Sequence, residues 1–198
     1  GILPKDQIIP GEKLEMGSSV KVYVSKLEIG PKGPFIMLSR SHYGFVKRLL
    51  EIEIPELSDG TIMLYSVARD AGSRSKIAVY TEYTNVDPIG AVIGEKGRRI
   101  ANVLKELSGE KIDVILYDKD PVKFIANALS PAKDVKVSIK DETKKEALAL
   151  VNDKNLSLAI GKKGQNVKLA SRLTHYKIEV KPEEQENTET TEETSVEE

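Results

Sequence analysis

Apolar residues recur at helical spacing from Tyr43 to Ile52, where Phe45, Val46, Leu49 and Leu50 share one side. Thr61 to Val67 and Lys76 to Tyr80 then alternate as strands across the turn Asp70-Ala-Gly-Ser73. After Asp87-Pro88 a short helix is predicted up to Gly94. A longer one beyond Gly97 puts Ile100, Val103, Leu104 and Leu107 on one face and stops at Gly109, before a strand from Lys111 to Tyr117. The order is αββααβ. It recurs downstream: a helix from Pro121 to Leu129, strands near Val135 to Ile139 and Ala147 to Val151, a helix from Leu156 to Ile160, a glycine loop, a helix to Leu173 and a strand from Tyr176 to Val180.

The recurrence extends to residue identity. Ile93-Gly-Glu-Lys-Gly97-Arg-Arg-Ile100 matches Ile160-Gly-Lys-Lys-Gly164-Gln-Asn-Val167, and Lys111-Ile-Asp-Val114 matches Lys177-Ile-Glu-Val180, so two copies of one small domain are implied. The first forty residues fit neither copy. Val20 to Val24 and Phe35 to Leu38 read as paired strands around Gly30-Pro-Lys-Gly-Pro34, half of a small β-barrel. Gly1 to Pro4 and Ile8-Ile9 read as the end of something begun upstream.

Composition narrows the chemistry. Cysteine is absent and histidine is limited to His42 and His175, which excludes disulfides, thiol catalysis and Cys-rich zinc sites; no metal or cofactor is expected. No apolar run suits a membrane span and no signal peptide is evident, so a cytoplasmic, membrane-independent protein is expected. The net charge of −1 conceals an asymmetry. From Glu183 onward the chain carries eight of its 31 acidic residues and no basic one, leaving 23 acidic against 30 basic residues before it, a charge of about +7. The acidic end, 183–198, is expected to be disordered; the basic remainder suits a polyanion such as nucleic acid.

With 14 glycines in 198 residues, chance alone supplies about one G-x-x-G pair, and three are present. Gly30 and Gly33 are flanked by prolines between strands, which is turn chemistry. Gly94/Gly97 and Gly161/Gly164 each lie between two helices. There, glycine lets a phosphate approach the backbone, the next helix offers free N–H groups, and Lys96, Arg98, Arg99, Lys162 and Lys163 add cations. Lys168 and Arg172, four apart on the helix after the second loop, extend the track or simply make a solvated face. Arg69, Arg74 and Lys76, around the strand turn, read equally as nucleic-acid contacts or as ordinary hairpin solvation.

The αββααβ order with a G-x-x-G loop between adjacent helices resembles the bacterial type (type II) of KH domain, which grips about four single-stranded nucleotides with that loop. The runs Leu38-Ser-Arg-Ser-His42, Val86-Asp-Pro-Ile-Gly-Ala91, Gly109-Glu-Lys-Ile-Asp113, Phe124-Ile-Ala-Asn-Ala-Leu-Ser-Pro-Ala-Lys133 and Leu156-Ser-Leu-Ala-Ile-Gly161 closely resemble the NusA family of bacterial transcription elongation and termination factors. The resemblance implies an α+β chain. It would comprise the C-terminal part of an S1-type OB barrel (1–40, incomplete), a first KH domain (41–118), a second (119–182) and the acidic tail. It further implies binding of single-stranded RNA, the nascent transcript, by a monomer that works with RNA polymerase and antitermination factors in pausing, termination and antitermination.

Carried across, the loop residues are Gly94, Glu95, Lys96 and Gly97, then Gly161, Lys162, Lys163 and Gly164; Arg98, Arg99, Gln165, Asn166, Lys168 and Arg172 complete the expected RNA-binding set from their place beside the loops. Two departures stand out. The family's polymerase-binding domain and first barrel strands have no counterpart here, and Glu95 sets a carboxylate against phosphate, so the Lys162-Lys163 loop is the stronger grip. The link Asp118-Lys-Asp-Pro121 is too short for independent tumbling, which predicts a rigid tandem surface.

Catalysis finds little support. Ser39, Ser41 and His42 lack an orienting partner, while Asp118 and Asp120 read as a linker and helix start. The alternative function is an RNA-binding fragment of an RNA-degrading or ribosome-associated protein. A protein-interaction scaffold is a further rival class, distinguished by RNA affinity that survives reversal of the loop lysines.

Overall fold

The computed structural model describes residues 1–31 and 33–183, so the stretch expected to be disordered lies outside the described residues except for Glu183. Strands β1 (Tyr23–Gly30) and β2 (Gly33–Ser39) pair antiparallel, and Ile2 bridges Met37 on the free edge of β2. The β1 strand starts later and runs further than the Val20–Val24 alternation predicts.

Helix α1 (Tyr43–Glu53) starts at His42, whose Nδ1 accepts the Gly44 N–H at 3.0 Å, and buries Phe45, Val46, Leu49 and Leu50. Pro55 opens the four-residue α2 (Pro55–Ser58), too short to register as an apolar period. Strands β3 (Met63–Asp70) and β4 (Arg74–Tyr80) form the expected hairpin, three and two residues longer toward its turn because Ala68 to Asp70 and Arg74 to Lys76 continue the ladder. Asp87 caps α3 (Pro88–Ile93); a single 3-10 turn, Glu95–Gly97, leads into α4 (Arg98–Glu106) and then β5 (Lys111–Leu116), parallel to β4.

The second copy repeats this with α5 (Pro121–Ala128), β6 (Lys136–Asp141), β7 (Glu146–Val151), α6 (Asp153–Ile160), a 3-10 turn Lys162–Gly164, α7 (Gln165–Thr174) and β8 (Lys177–Pro182). Helix α6 begins three residues before Leu156 because Asn152 accepts the Asn155 N–H and caps it.

Each copy is a three-stranded mixed sheet, β3-β4-β5 or β6-β7-β8. Period-2 alternation gives the first sheet two apolar faces. Val67, Ile77 and Val114 pack with α1 and α4, whereas Ala68, Ala78 and Ile115 share a cluster with Phe124 and Leu129 of the second copy and with Leu169 and Leu173 of α7. Helices α5 and α7 therefore serve two sheets at once, their own (Ala147, Ala149, Ile178) and the preceding one. Small alanines on the shared face let the helices sit close. The corresponding outer face of the second sheet carries Lys140–Glu179 and Lys177–Glu146 ion pairs instead, which solvate it.

The opening segment is joined to the first copy rather than set apart from it. Ile9, expected to belong to an upstream element, is 1% exposed in the core formed by Phe45, Leu50 and Leu107. Arg40 is buried at the junction. It donates to both Glu12 carboxylate oxygens, to Glu106 Oε1 and the Glu106 carbonyl, and to the Lys21 carbonyl, and it lies over the Phe45 ring. The run Leu38 to His42 thus joins the two segments, and Ser39 Oγ accepts the His42 N–H at 2.9 Å.

Candidate nucleic-acid interface

The two glycine loops have the same backbone. Gly94 and Gly161 take φ/ψ of 74/173° and 76/169°, Lys96 and Lys163 take φ of 52° and 54°, and Gly97 and Gly164 are left-handed at φ 73°. The two glycines of each pair are needed for different reasons. A Cβ on Gly161 would lie 2.7 Å from the Asn166 backbone nitrogen, and one on Gly94 would lie 2.6 Å from Arg99 Cγ. The first glycine lets the following helix pack against the loop. A Cβ on Gly97 would meet nothing within 4 Å, and on Gly164 only Lys168 Cε at 3.7 Å. The second glycine supplies the left-handed turn and leaves a bare surface.

Around these corners the cations divide into two sets. Lys96, Arg98, Lys162, Lys163, Lys168 and Arg172 are exposed, and among the described residues no ion pair engages them. Lys168 folds back beside Gly164, and Arg172 follows one turn later on α7. Glu95 is exposed in the first loop, as its sequence position implies.

The remaining expected contacts turn elsewhere. Arg99 Nη1 donates to Glu56 and to the Ala91 carbonyl, clamping α2 and α3 to α4. Asn166, its counterpart, is buried; Nδ2 donates to the carbonyls of Leu129, Leu158 and Ala159. Gln165 Nε2 reaches the first copy's hairpin, Asp70 Oδ2 at 2.6 Å and Ser73 Oγ at 2.7 Å. The Asn166 side chain thus braces the loop from inside.

Of Arg69, Arg74 and Lys76, the first and last are buried and all three are ion-paired. Arg69 is buried with Glu110, donating from Nε and Nη2 to the carboxylate and from Nη1 to the carbonyls of Arg40 and His42. Arg74 pairs with Asp113 at 3.0 Å. Lys76 is fully buried between the copies, where Nζ donates to Asp113 Oδ2 at 3.1 Å and the Ser130 carbonyl at 2.7 Å; burial pushes its pKa below the ordinary lysine value and Asp113 opposes that. Asp118 Oδ1 accepts the Asp120 N–H, and Asp120 caps α5, so both carboxylates are turn formers.

Ile89 of α3, the helix that leads into the first loop, and Val114 and Leu116 of β5 wall an open cleft of about 720 Å³, closed on its far side by Ala132, Lys133 and Val135 of the second copy. Since β5 is the edge of its sheet, the cleft runs along unpaired strand backbone, except that Asn127 donates to the Leu116 carbonyl. Cleft, glycine corner and free cations together form a surface suited to an extended, anionic, base-bearing chain. Sequence reasoning did not place the second copy's residues in this cleft; the short link at 118–121, which predicts a rigid tandem surface, was the signal for it.

Comparison with known proteins agrees. Residues 40–117 match the NusA-like first KH domain and residues 121–188 the NusA-like second KH domain. A transcription termination/antitermination protein NusA of Halalkalibacterium halodurans is 50% identical over 182 residues, 92% of this chain and 47% of that protein. The namesakes from Bacillus subtilis and Thermus thermophilus are 50% and 47% identical, over 92% and 89% of this chain and 49% and 45% of theirs. The chain therefore spans about half the length of the curated relatives it matches. Among solved structures, that of APE1850 shares the fold, with a TM-score of 0.50 at 23% identity over 69% of this chain and 96% of that one. With both successive KH domains matched in order and half the residues shared with proteins of that name, the chain belongs to the NusA family.

Proposed function

We propose that this chain is the RNA-binding part of a transcription elongation factor: it holds single-stranded nascent RNA and thereby modulates pausing, termination and antitermination by RNA polymerase. The carrying observation is that two superimposable glycine corners bear unpaired exposed cations while the other basic residues of the first hairpin are consumed in internal ion pairs. Phosphates lie over Gly94–Gly97 and Gly161–Gly164 and are met by Lys96, Arg98, Lys162, Lys163, Lys168 and Arg172. Bases enter the apolar cleft beside them. Because α5 and α7 are packed on the first sheet, both glycine corners are fixed relative to each other, and a strand held by one is presented to the other at high effective concentration.

The relatives' names support the link to transcription, and action on the transcript is action in the cytoplasm. We further propose the division 1–40, 41–118 and 119–182, with a monomer as the working unit. The first segment belongs to an S1-type barrel: Val24, Leu27, Ile29 and Ile36 line one face of β1-β2 and are exposed, as the inner face of a barrel is when strands are lacking.

The test is affinity for a single-stranded RNA of about 20 nucleotides, measured by fluorescence anisotropy, against a duplex of the same length. Single strands bind more tightly, and Lys162→Asp with Lys163→Asp reduces binding at least tenfold. Equal affinity of the doubly reversed variant refutes the loop contact, and preference for duplex refutes the groove.

A further inference from the structure

At the end of α7 opposite its glycine corner, the seam between the two copies holds a second, smaller recess of about 240 Å³. Helix α7 has ten residues, so the recess lies roughly 15 Å from the second loop. Its wall is aromatic. Tyr65 of β3 and Tyr117, just past β5, stack at 3.9 Å and 16°, and Phe124 of α5 meets both edge-on at 5.6 and 5.0 Å, which fixes their planes. Tyr65 nevertheless remains 44% exposed. The rim is cationic: Lys119 and Lys145 are exposed, and Lys145 Nζ sits 5.1 Å over the Tyr176 ring. His175 also lines the recess, and Asp118 is the single carboxylate there, its Oδ1 occupied by the Asp120 N–H.

We propose that this recess is an accessory nucleotide site, in which a base of the bound single-stranded RNA stacks on the exposed face of Tyr65 while its phosphate meets Lys119 and Lys145. The recess is smaller than a drug-sized pocket and open on one side, which suits one base on a strand rather than a free ligand. Aromatic faces accept any base, and flanking ammonium groups select an anion. A KH loop clamps only about four nucleotides, so a longer strand has flanking nucleotides to offer. The site rests on the RNA-binding reading, but none of its residues belongs to the glycine loops.

The experiment uses the whole chain and a single-stranded RNA of about 20 nucleotides carrying 4-thiouridine. Tyr65→Ser lowers affinity about 5- to 100-fold, the loss expected for one stacked base. Lys119→Glu with Lys145→Glu, both exposed, lowers it in the same direction. Photo-crosslinking yields adducts on Tyr65 or Tyr117. If both variants bind like the unaltered chain and no adduct forms there, while the Lys162/Lys163 reversal still abolishes binding, the accessory site is refuted and the loop reading stands. If the unaltered chain binds no RNA, both are refuted.

Discussion

Lys76 Nζ, on the middle strand of the first sheet, donates at 2.7 Å to the carbonyl of Ser130, just past the first helix of the second KH domain. One buried ammonium thus ties two domains whose shared cluster runs from Ala68 to Leu173. Lys76→Ala leaves the Ser130 carbonyl without that donor and opens a void in the seam, while Asp113 keeps Arg74. The expected loss is about 1 to 3 kcal/mol, read as a lower midpoint of a single cooperative denaturation. Two separated transitions in the unaltered chain would show that the domains fold independently and that the latch does not couple them.

Gly161→Ala and Gly164→Ala separate the two uses of glycine. At Gly164 the added methyl meets only a flexible lysine, and the cost is that of a left-handed residue, roughly 1 to 2 kcal/mol. At Gly161 the backbone lies at φ 76° and ψ 169°, a region essentially confined to glycine, and the methyl also strikes the Asn166 nitrogen. Gly161→Ala is expected to cost clearly more in thermal unfolding. Equal losses would mean that the helix simply shifts to make room.

These contrasts show where a sequence speaks. The order of helices and strands and the duplicated loops were readable from Phe45, Val46, Leu49 and Leu50 at helical spacing and from two matching glycine pairs, since local periodicity and backbone demands are written locally. Whether a charge faces water is not local. Arg69, Lys76 and Asn166 lie beside residues as polar as Lys162, and only the approach of Glu110, Ser130 and Leu129 decides that they are internal. The packing of Ile9 on Phe45 was equally hidden, because it joins segments that pattern alone assigned to different domains.

Acid pH is expected to weaken the junction with the opening segment. Burial on its own would raise the pKa of Glu12, but its hydrogen bonds from Arg40 and Ser108 and the Arg40 charge pull it below the ordinary carboxylate value. A carboxyl with a depressed folded pKa contributes stability that is present above its unfolded value, near 4.5, and is lost as pH falls through the folded one. Stability measured by urea denaturation should therefore fall below about pH 4.5 in the unaltered chain, and fall less steeply in Glu12→Gln. Parallel curves for the two proteins would place the acid sensitivity elsewhere.

Glu95 makes the two loops unequal, and its reversal tests the electrostatic account directly. The first corner offers Lys96 and Arg98 together with the exposed Glu95 carboxylate, whereas the second offers Lys162, Lys163 and Lys168 without one. Glu95→Lys removes a repulsion and adds a phosphate contact, so affinity for single-stranded RNA should rise by up to about fivefold at low salt. On a single strand each neutralised phosphate adds roughly −0.7 to the slope of log K against log salt concentration, and the variant should be steeper by about that amount. Because the change is electrostatic, its advantage should shrink as salt screens it. A variant that binds more tightly with an unchanged slope would owe its gain to hydrogen bonding or loop conformation, and phosphate would then not lie over the first corner.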